Sequence, residues 1–451
     1  MSTEEIASDR TFAPPEPTRS GRYSNRRRAW GMTGLVMLLF VINYADKAVL
    51  GIIAQPLARE LGLTSAQIGL VGSLFFLAYA VGGFLAGPIN KYLALRWSLV
   101  ILAIVWSVAM LPLVIAASFT MLIVTRMLLG FSEGPNNALT HTAVYSWHPP
   151  AKRGLPSALL TGSGAIAKIA LAPTLAFVTV QFGWRAAIVA LSVLAVFWMV
   201  AWLFCWTEGP CISGATPSGE TGVALNTEPN VPWRRVFGTR TFLSCSLLII
   251  SLMALSTVVL TWLPSYFQVG LGYSAIQAGS MFALPSVLGL ILALGITSIT
   301  DKMRQRGARS RVVRIGVAGV TVLISGSTLF ALPAIGTPAV AVAVVSIGAA
   351  LASAAIPLVT STISELCPSQ QTGGTMGMFF ALMSIGGLIA PYATGVVVDH
   401  AATAAEGYEL AFQIFGVVAA VAAILVLVFA NPERDRKIIR RSVVPVSVDV
   451  S

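Results

Sequence analysis

The sequence predicts an all-α membrane protein, with twelve transmembrane helices in two six-helix bundles and both termini cytoplasmic. Three observations carry this. Of 451 residues, 56% are hydrophobic and only 10% are charged, against about 25% charged in a soluble domain. The apolar residues form long uncharged runs, such as Ala186 to Cys205 and Leu243 to Leu260. Roughly 18 or more such residues cross a hydrocarbon layer about 30 Å thick. A polar stretch near Glu208 to Asn230 also divides the chain into two apolar halves. Without water to bond the backbone inside lipid, each crossing is expected to be a helix.

The elements follow in order. Residues 1–28 are polar and basic, with Pro14, Pro15 and Pro17 and no apolar run. They read as a disordered cytoplasmic tail without a signal peptide. Residues 29–207 hold the N-terminal bundle, with spans near 30–54, 66–90, 97–117, 119–146, 154–180 and 184–206. Residues 208–238 are a cytoplasmic linker, rich in Gly, Ser, Thr and Pro. Residues 239–431 hold the C-terminal bundle, with spans near 240–267, 275–299, 312–333, 336–364, 373–398 and 408–430. Residues 432–451 form a second cytoplasmic tail.

The halves echo each other. Leu61-Gly62-x-Thr64-x-x-Gln67-x-Gly69 opens the second span, and Leu271-Gly272-x-Ser274-x-x-Gln277-x-Gly279 opens the eighth. Pro149 to Gly154 corresponds to Pro368 to Gly373, and Gly183-Trp184 to Gly407-Tyr408. Parallel repeats of this kind place a substrate site between two halves that rock against each other.

The net charge of +11 would suggest nucleic acid in a soluble protein. Here all but five of the 29 lysines and arginines fall in segments that one topology places on a single side. The exceptions are Lys47, Arg59, Arg126, Lys168 and Arg185. By the positive-inside rule that side is the cytoplasm, and no nucleic-acid partner is expected. The cysteines Cys205, Cys211, Cys245 and Cys367 lack metal-ligand spacing. With no metal set, nucleophile elbow or phosphate loop, neither a cofactor nor an enzymatic activity is expected.

Five charges lie inside predicted spans: Asp46, Lys47, Arg126, Glu133 and Lys168, all in the first half. Each costs roughly 2.5–3.5 kcal/mol at the bilayer centre, so they are expected to face a wet chamber and one another. Arg126 and Glu133 lie two turns apart on one helix face, and Asn137 and His141 extend the stripe. Asn43 and Lys47 share a face of the first span, with Asp46 beside it, and Tyr79 lies within the second. Two carboxylates and three cations sum to +1, which favours an anion. Desolvation and nearby cations act on such carboxylates in opposite senses, as a proton carrier requires. The alternative reading makes Asp46 and Glu133 structural partners of Lys47 and Arg126. Arg126 reads as a carboxylate anchor through its planar fork. Lys168 either contacts substrate, pairs with Glu133 or Asp46, or snorkels to an edge. Tyr44 and Tyr79 either pack or bond substrate, and His141 is a satisfied polar residue or a proton relay.

Four motifs resemble the major facilitator superfamily, in its anion:cation symporter branch. They are Asn43-Tyr44-Ala45-Asp46-Lys47, Arg126 to Gly134, Trp147-His148-Pro149-Pro150-x-x-Arg153-Gly154 and Thr261-Trp262-Leu263-Pro264-Ser265-Tyr266. The run Pro368 to Gly377 and Pro391-Tyr392-x-x-Gly395 also fit, so the resemblance covers about residues 28–432. The branch includes bacterial sugar-acid and aromatic-acid transporters and the animal sialin and vesicular glutamate carriers. The resemblance implies a monomer in the plasma membrane that carries a small organic anion with protons. It implies protonation at Asp46 and Glu133 and carboxylate binding at Tyr44, Lys47, Tyr79 and Arg126, to which the charge pattern adds Lys168.

Three departures stand out. Lys47 occupies a position usually held by Arg. Gly87 to Arg96 carries no acid, whereas Asp301-Lys302 in the second half keeps one. Lys168 is an additional cation, which suggests a dicarboxylate, an aromatic acid or a sulfonated acid. Competing expectations are a proton antiporter exporting anions or drugs, and a non-transporting membrane sensor.

Overall fold

The first helix runs Arg19–Leu61, beginning before the expected boundary at residue 29. The structure, a computed structural model, describes residues 19–148, 154–207, 209, 231–367 and 371–441. Cys211, most of the linker, and the Pro149–Arg153 and Pro368–Gln370 parts of the repeated motif lie outside the described residues.

Eleven helices among the described residues are long and apolar enough to cross a membrane. The fourth crossing is the exception, made of two shorter helices, Phe119–Glu133 and Asn136–Trp147. Pro135 causes the break. It has no N–H for the Phe131 carbonyl, and its ring displaces that group. The freed carbonyl packs against Gly82 of the second helix, where a Cβ would collide with it. The twelve crossings form the all-helical fold that the sequence predicts, and no strand occurs among the described residues. Side chains such as Phe204 and Ile115 are exposed on the outer surface, as suits a lipid-facing wall.

Helices alternate in direction, so Arg26, Lys91, Arg96, Arg234 and Lys302 collect at one end, here the basic end. The turns at residues 62–64 and 271–274 lie at the opposite, outer end. Those two turns explain the sequence repeat. Gly62 and Gly272 take φ of 62° and 76°, a conformation that L side chains resist. Thr64 and Ser274 then cap the following helices, each completing a capping box with Gln67 or Gln277. The other echo is only partial. Gly183 turns with φ 84°, while Gly407 lies inside the helix Ala404–Phe429.

The two bundles close on each other at the outer end. A Cβ on Gly51 would stand 2.6 Å from the Leu260 carbonyl oxygen, which Pro264 leaves without its helical donor. Gly69 lies against the Pro391 carbonyl, and Tyr392 N–H donates to Ser73 Oγ at 3.1 Å. Asp399, at the end of the eleventh helix, accepts from the N–H groups of Ser65 and Ala66 at 2.8 and 2.7 Å. It therefore caps the second helix from the opposite bundle, where the helix dipole favours an anion. At the basic end, within the second bundle, Arg314 joins Glu365 at 2.5 Å and Asp301 at 3.4 Å. Arg304 reaches Glu365 at 3.3 Å. The corresponding helix of the first half, Ala86–Tyr92, contains no acid. The linker is strapped to the second bundle, since Val231 exchanges two hydrogen bonds with the Gln371 amide.

Replacing Asp399 by Asn removes the charge that caps the second helix. A charge at a helix N-terminus is worth about 0.3–1 kcal/mol, a factor of up to about five in an equilibrium. Gln55 lines two cavities near the outer end, and a cysteine placed there is expected to label with maleimide severalfold faster in Asp399→Asn. An unchanged rate would show that this carboxylate does not hold the end closed.

Candidate functional site

Glycine packing between the second and fourth helices sets the site. A Cβ on Gly130 or Gly134 would collide with the carbonyl oxygen of Phe75 or Tyr79, respectively. This close approach sets Phe75 and Tyr79 beside the face that carries Arg126 and Glu133. The first helix supplies Asn43, Tyr44, Asp46 and Lys47.

These residues form one cluster. Lys47 Nζ lies 3.6 Å from Glu133 Oε2 and donates to Asn43 Oδ1 at 2.7 Å. The ammonium also sits over the rings of Tyr44 and Tyr79, 5.0 and 4.8 Å from their centroids. Aromatic faces attract such a cation. Glu133 is 0% exposed, and neither of its oxygens accepts a hydrogen bond among the described residues. Its contact with Lys47 is therefore Coulombic, longer than a hydrogen bond.

Arg126, only 2% exposed, donates from Nη1 to the backbone carbonyl of Asp46 at 3.0 Å. Its guanidinium lies 4.8 Å over the Phe75 ring, and its Nε has no acceptor. The carbonyl fixes one edge of the fork while leaving its charge available to an incoming anion. Asp46 is buried at 8% exposure.

Of the residues expected in the site, Tyr44, Asp46, Lys47, Tyr79, Arg126 and Glu133 come together. Lys168 borders them from the fifth helix without pairing with either carboxylate among the described residues. Its Nζ donates to Ser286 Oγ of the eighth helix at 2.8 Å and lies 5.2 Å from the Phe282 centroid. His141 bonds the Asn137 carbonyl through Nδ1 at 2.8 Å and meets the Phe40 and Tyr145 rings edge-on. Glu365, at the end of the tenth helix, belongs to the basic-end ion network.

Sequence reasoning missed Phe75, Asn136, Phe282 and Ser286. Asn136 is 1% exposed, with both side-chain polar atoms unpartnered. Its place directly after Gly134-Pro135 was the available signal. Phe75, Phe282 and Ser286 are ordinary in an apolar helix, and nothing in their neighbourhood marks them.

Beyond the cluster, toward the outer end, lie two cavities of about 190 and 330 Å³. They share Gln55 and Arg59. Among the described residues, no group of three or more His, Cys, Asp or Glu is placed to hold a metal ion.

The model of the Major Facilitator Superfamily matches residues 36–391 and 307–448. Curated relatives are similar over nearly their whole length. The hexuronate transporter of Bacillus subtilis (strain 168) is 26% identical over 405 residues, covering 88% of this chain and 94% of the relative. A probable sulfoacetate transporter of Cupriavidus necator is 26% identical over 412 residues, covering 88% and 93%. Among solved structures, a bacterial homologue of the human lysosomal transporter Spinster, inward-facing and unoccupied, superposes with a TM-score of 0.75. It shares 17% identity and covers 91% of this chain and 98% of its own. A D-xylose-proton symporter gives 0.73 at 16% identity, covering 90% and 99%.

Gly130→Ala tests the packing that sets the cluster. Its Cβ meets backbone rather than a movable side chain, so overpacking is expected to cost about 1–3 kcal/mol. The melting temperature of the detergent-purified protein should fall by several degrees. Unchanged melting would show that the second and fourth helices separate easily.

Proposed function

The chain belongs to the Major Facilitator Superfamily of multi-pass membrane transporters, and on that premise we propose that it is a proton-coupled symporter of a small organic anion. The observation that supports this most is the buried Lys47–Glu133 contact beside Arg126. A carboxylate without hydrogen bonds faces a cation that an anionic substrate can claim.

In this reading Arg126 and Lys47 receive the substrate carboxylate, with Tyr44 and Tyr79 flanking it. Arg126 presents a fork suited to two parallel hydrogen bonds, and Lys47 contributes a point charge. Once substrate occupies Lys47, Glu133 loses its counter-ion. An unpaired charge out of water is expensive, and a proton removes it. Asp46, behind Arg126, is the second proton site. Substrate and proton thus favour each other's binding, which is the thermodynamic content of coupling. With substrate on the cations and protons on the carboxylates, neither Glu133 nor Asp46 is left as an unpaired charge, which permits the bundles to rock. With the basic end in the cytoplasm, the closed outer end corresponds to an inward-facing state in the plasma membrane. The printed functions of the curated relatives, a hexuronate and a probable sulfoacetate transporter, support an organic acid as substrate. An exporter would use the same cluster in the reverse direction, and no observation here favours it.

Proteoliposomes with an imposed inward proton gradient test the assignment. Glu133→Gln is expected to lose gradient-driven accumulation, by about 100-fold if coupling rests on this proton site (~2.7 kcal/mol). Counterflow of substrate should persist in the same variant. Full accumulation by Glu133→Gln would remove Glu133 as the coupling residue.

A further inference from the structure

Lys168 is the half-buried cation on the fifth helix that the symport mechanism leaves unused. It lies within the predicted span of the fifth helix, where an unpaired ammonium is costly. Among the described residues its ammonium meets neutral groups, the Ser286 hydroxyl and the Phe282 ring. Lys47, by contrast, has Glu133 at 3.6 Å. Among the described residues, no ion pair includes Lys168.

Local structure holds this side chain in place. Residues Ala167–Leu171 form a π-helical turn, with the Ala172 N–H reaching back to the Ala167 carbonyl. Pro173 follows and cannot donate to the Ile169 carbonyl, so the wider turn accommodates it. The turn also borders the anion cluster. At Gly164, one helical turn earlier, a Cβ would stand 2.8 Å from the Tyr44 ring, and that ring carries Lys47. Ser286 comes from the other bundle, so the Lys168–Ser286 bond crosses the interface between the halves.

We infer that Lys168 and Ser286 form a second anion subsite, so that the preferred substrate is a dianion whose two acid groups span from Arg126 and Lys47 to Lys168. This rests on the reading that Arg126 and Lys47 hold the first acid group. The second group replaces a neutral partner of Lys168 with a charged one, adding a Coulombic attraction that the hydroxyl does not supply. It also joins the bundles through Ser286, which a monoanion on Arg126 does not do.

The test compares matched acids that differ by one anionic group: succinate with butyrate, D-glucarate with D-gluconate, phthalate with benzoate, and sulfoacetate with acetate. Binding to the purified full-length protein is measured by thermal shift, and uptake is measured in proteoliposomes. At least one dianion is expected to bind about tenfold or more tightly than its monoanionic twin. Lys168→Gln should bring that ratio close to one while the twin still binds, and Lys168→Arg should restore it. The inference is overturned if no dianion outbinds its twin, or if the ratio survives Lys168→Gln. If Lys168→Gln does not fold, Ser286→Ala decides: a fall confined to the dianion supports the subsite, and an unchanged ratio overturns it. A monoanion accumulated on the proton gradient without any dianion preference leaves the symport reading intact and removes this one. Binding of neither class removes both.

Discussion

The constraint on which the rest depends is the Lys47–Glu133 contact inside the membrane. Two opposite charges stand 3.6 Å apart, one of them wholly shielded from solvent. Such a pair is retained against its desolvation cost only where each ion has neighbours that help to hold it. Asn43 accepts from the ammonium, and two tyrosine faces flank it. Glu133 is held more loosely: Lys47 and the Asn43 amide approach it, but no donor among the described residues reaches hydrogen-bond distance of either oxygen. The pair is therefore lopsided: the cation is well held and the anion is not. A competitor for Lys47 meets a partner with little else to lose.

This asymmetry extends to the whole molecule. The first bundle holds every mid-span charge, and the second contributes neutral groups such as Ser286 and Phe282. The second bundle's acids lie at its ends. Asp301 and Glu365 tie Arg304 and Arg314 together at the basic end, and Asp399 caps a helix of the opposite bundle at the outer end. One half thus holds the charged cluster, while the other faces it with neutral groups such as Ser286 and Phe282. Glycines and prolines make this work in both halves. Pro135 and Pro264 free carbonyls that then rest on Gly82 and Gly51 of neighbouring helices. A wider residue at either glycine would force the helices apart.

How much of this was legible varied with the range of the interaction. The outer turns at Gly62 and Gly272 were readable because a turn and its capping box are made within a few consecutive residues. Asp46, Lys47, Arg126 and Glu133 were readable because a charge in an apolar run has few reasons to be there. Their spacing also placed Arg126 and Glu133 on one face. The break in the fourth crossing was visible only as Gly134-Pro135, and the predicted span ran straight through it. The partner of Lys168 was not readable at all. Three readings stood open, and the structure gives a serine far along the chain. Phe75 under Arg126 was hidden for the same reason, since one phenylalanine in a membrane helix looks like another.

The sequence by itself determined the class of molecule: the helical crossings, their division into two related halves, and the buried charges that mark the site. These follow from hydropathy and local periodicity, which depend on composition and near neighbours. Only the tertiary structure decided which charges meet. It placed Arg126 on the Asp46 carbonyl rather than its carboxylate, Lys47 on Glu133, and Lys168 on Ser286. It also closed the outer end while leaving the basic end to separate ion networks. Such pairings depend on how closely two helices approach, and that distance is set by glycines and freed carbonyls facing each other across the bundle.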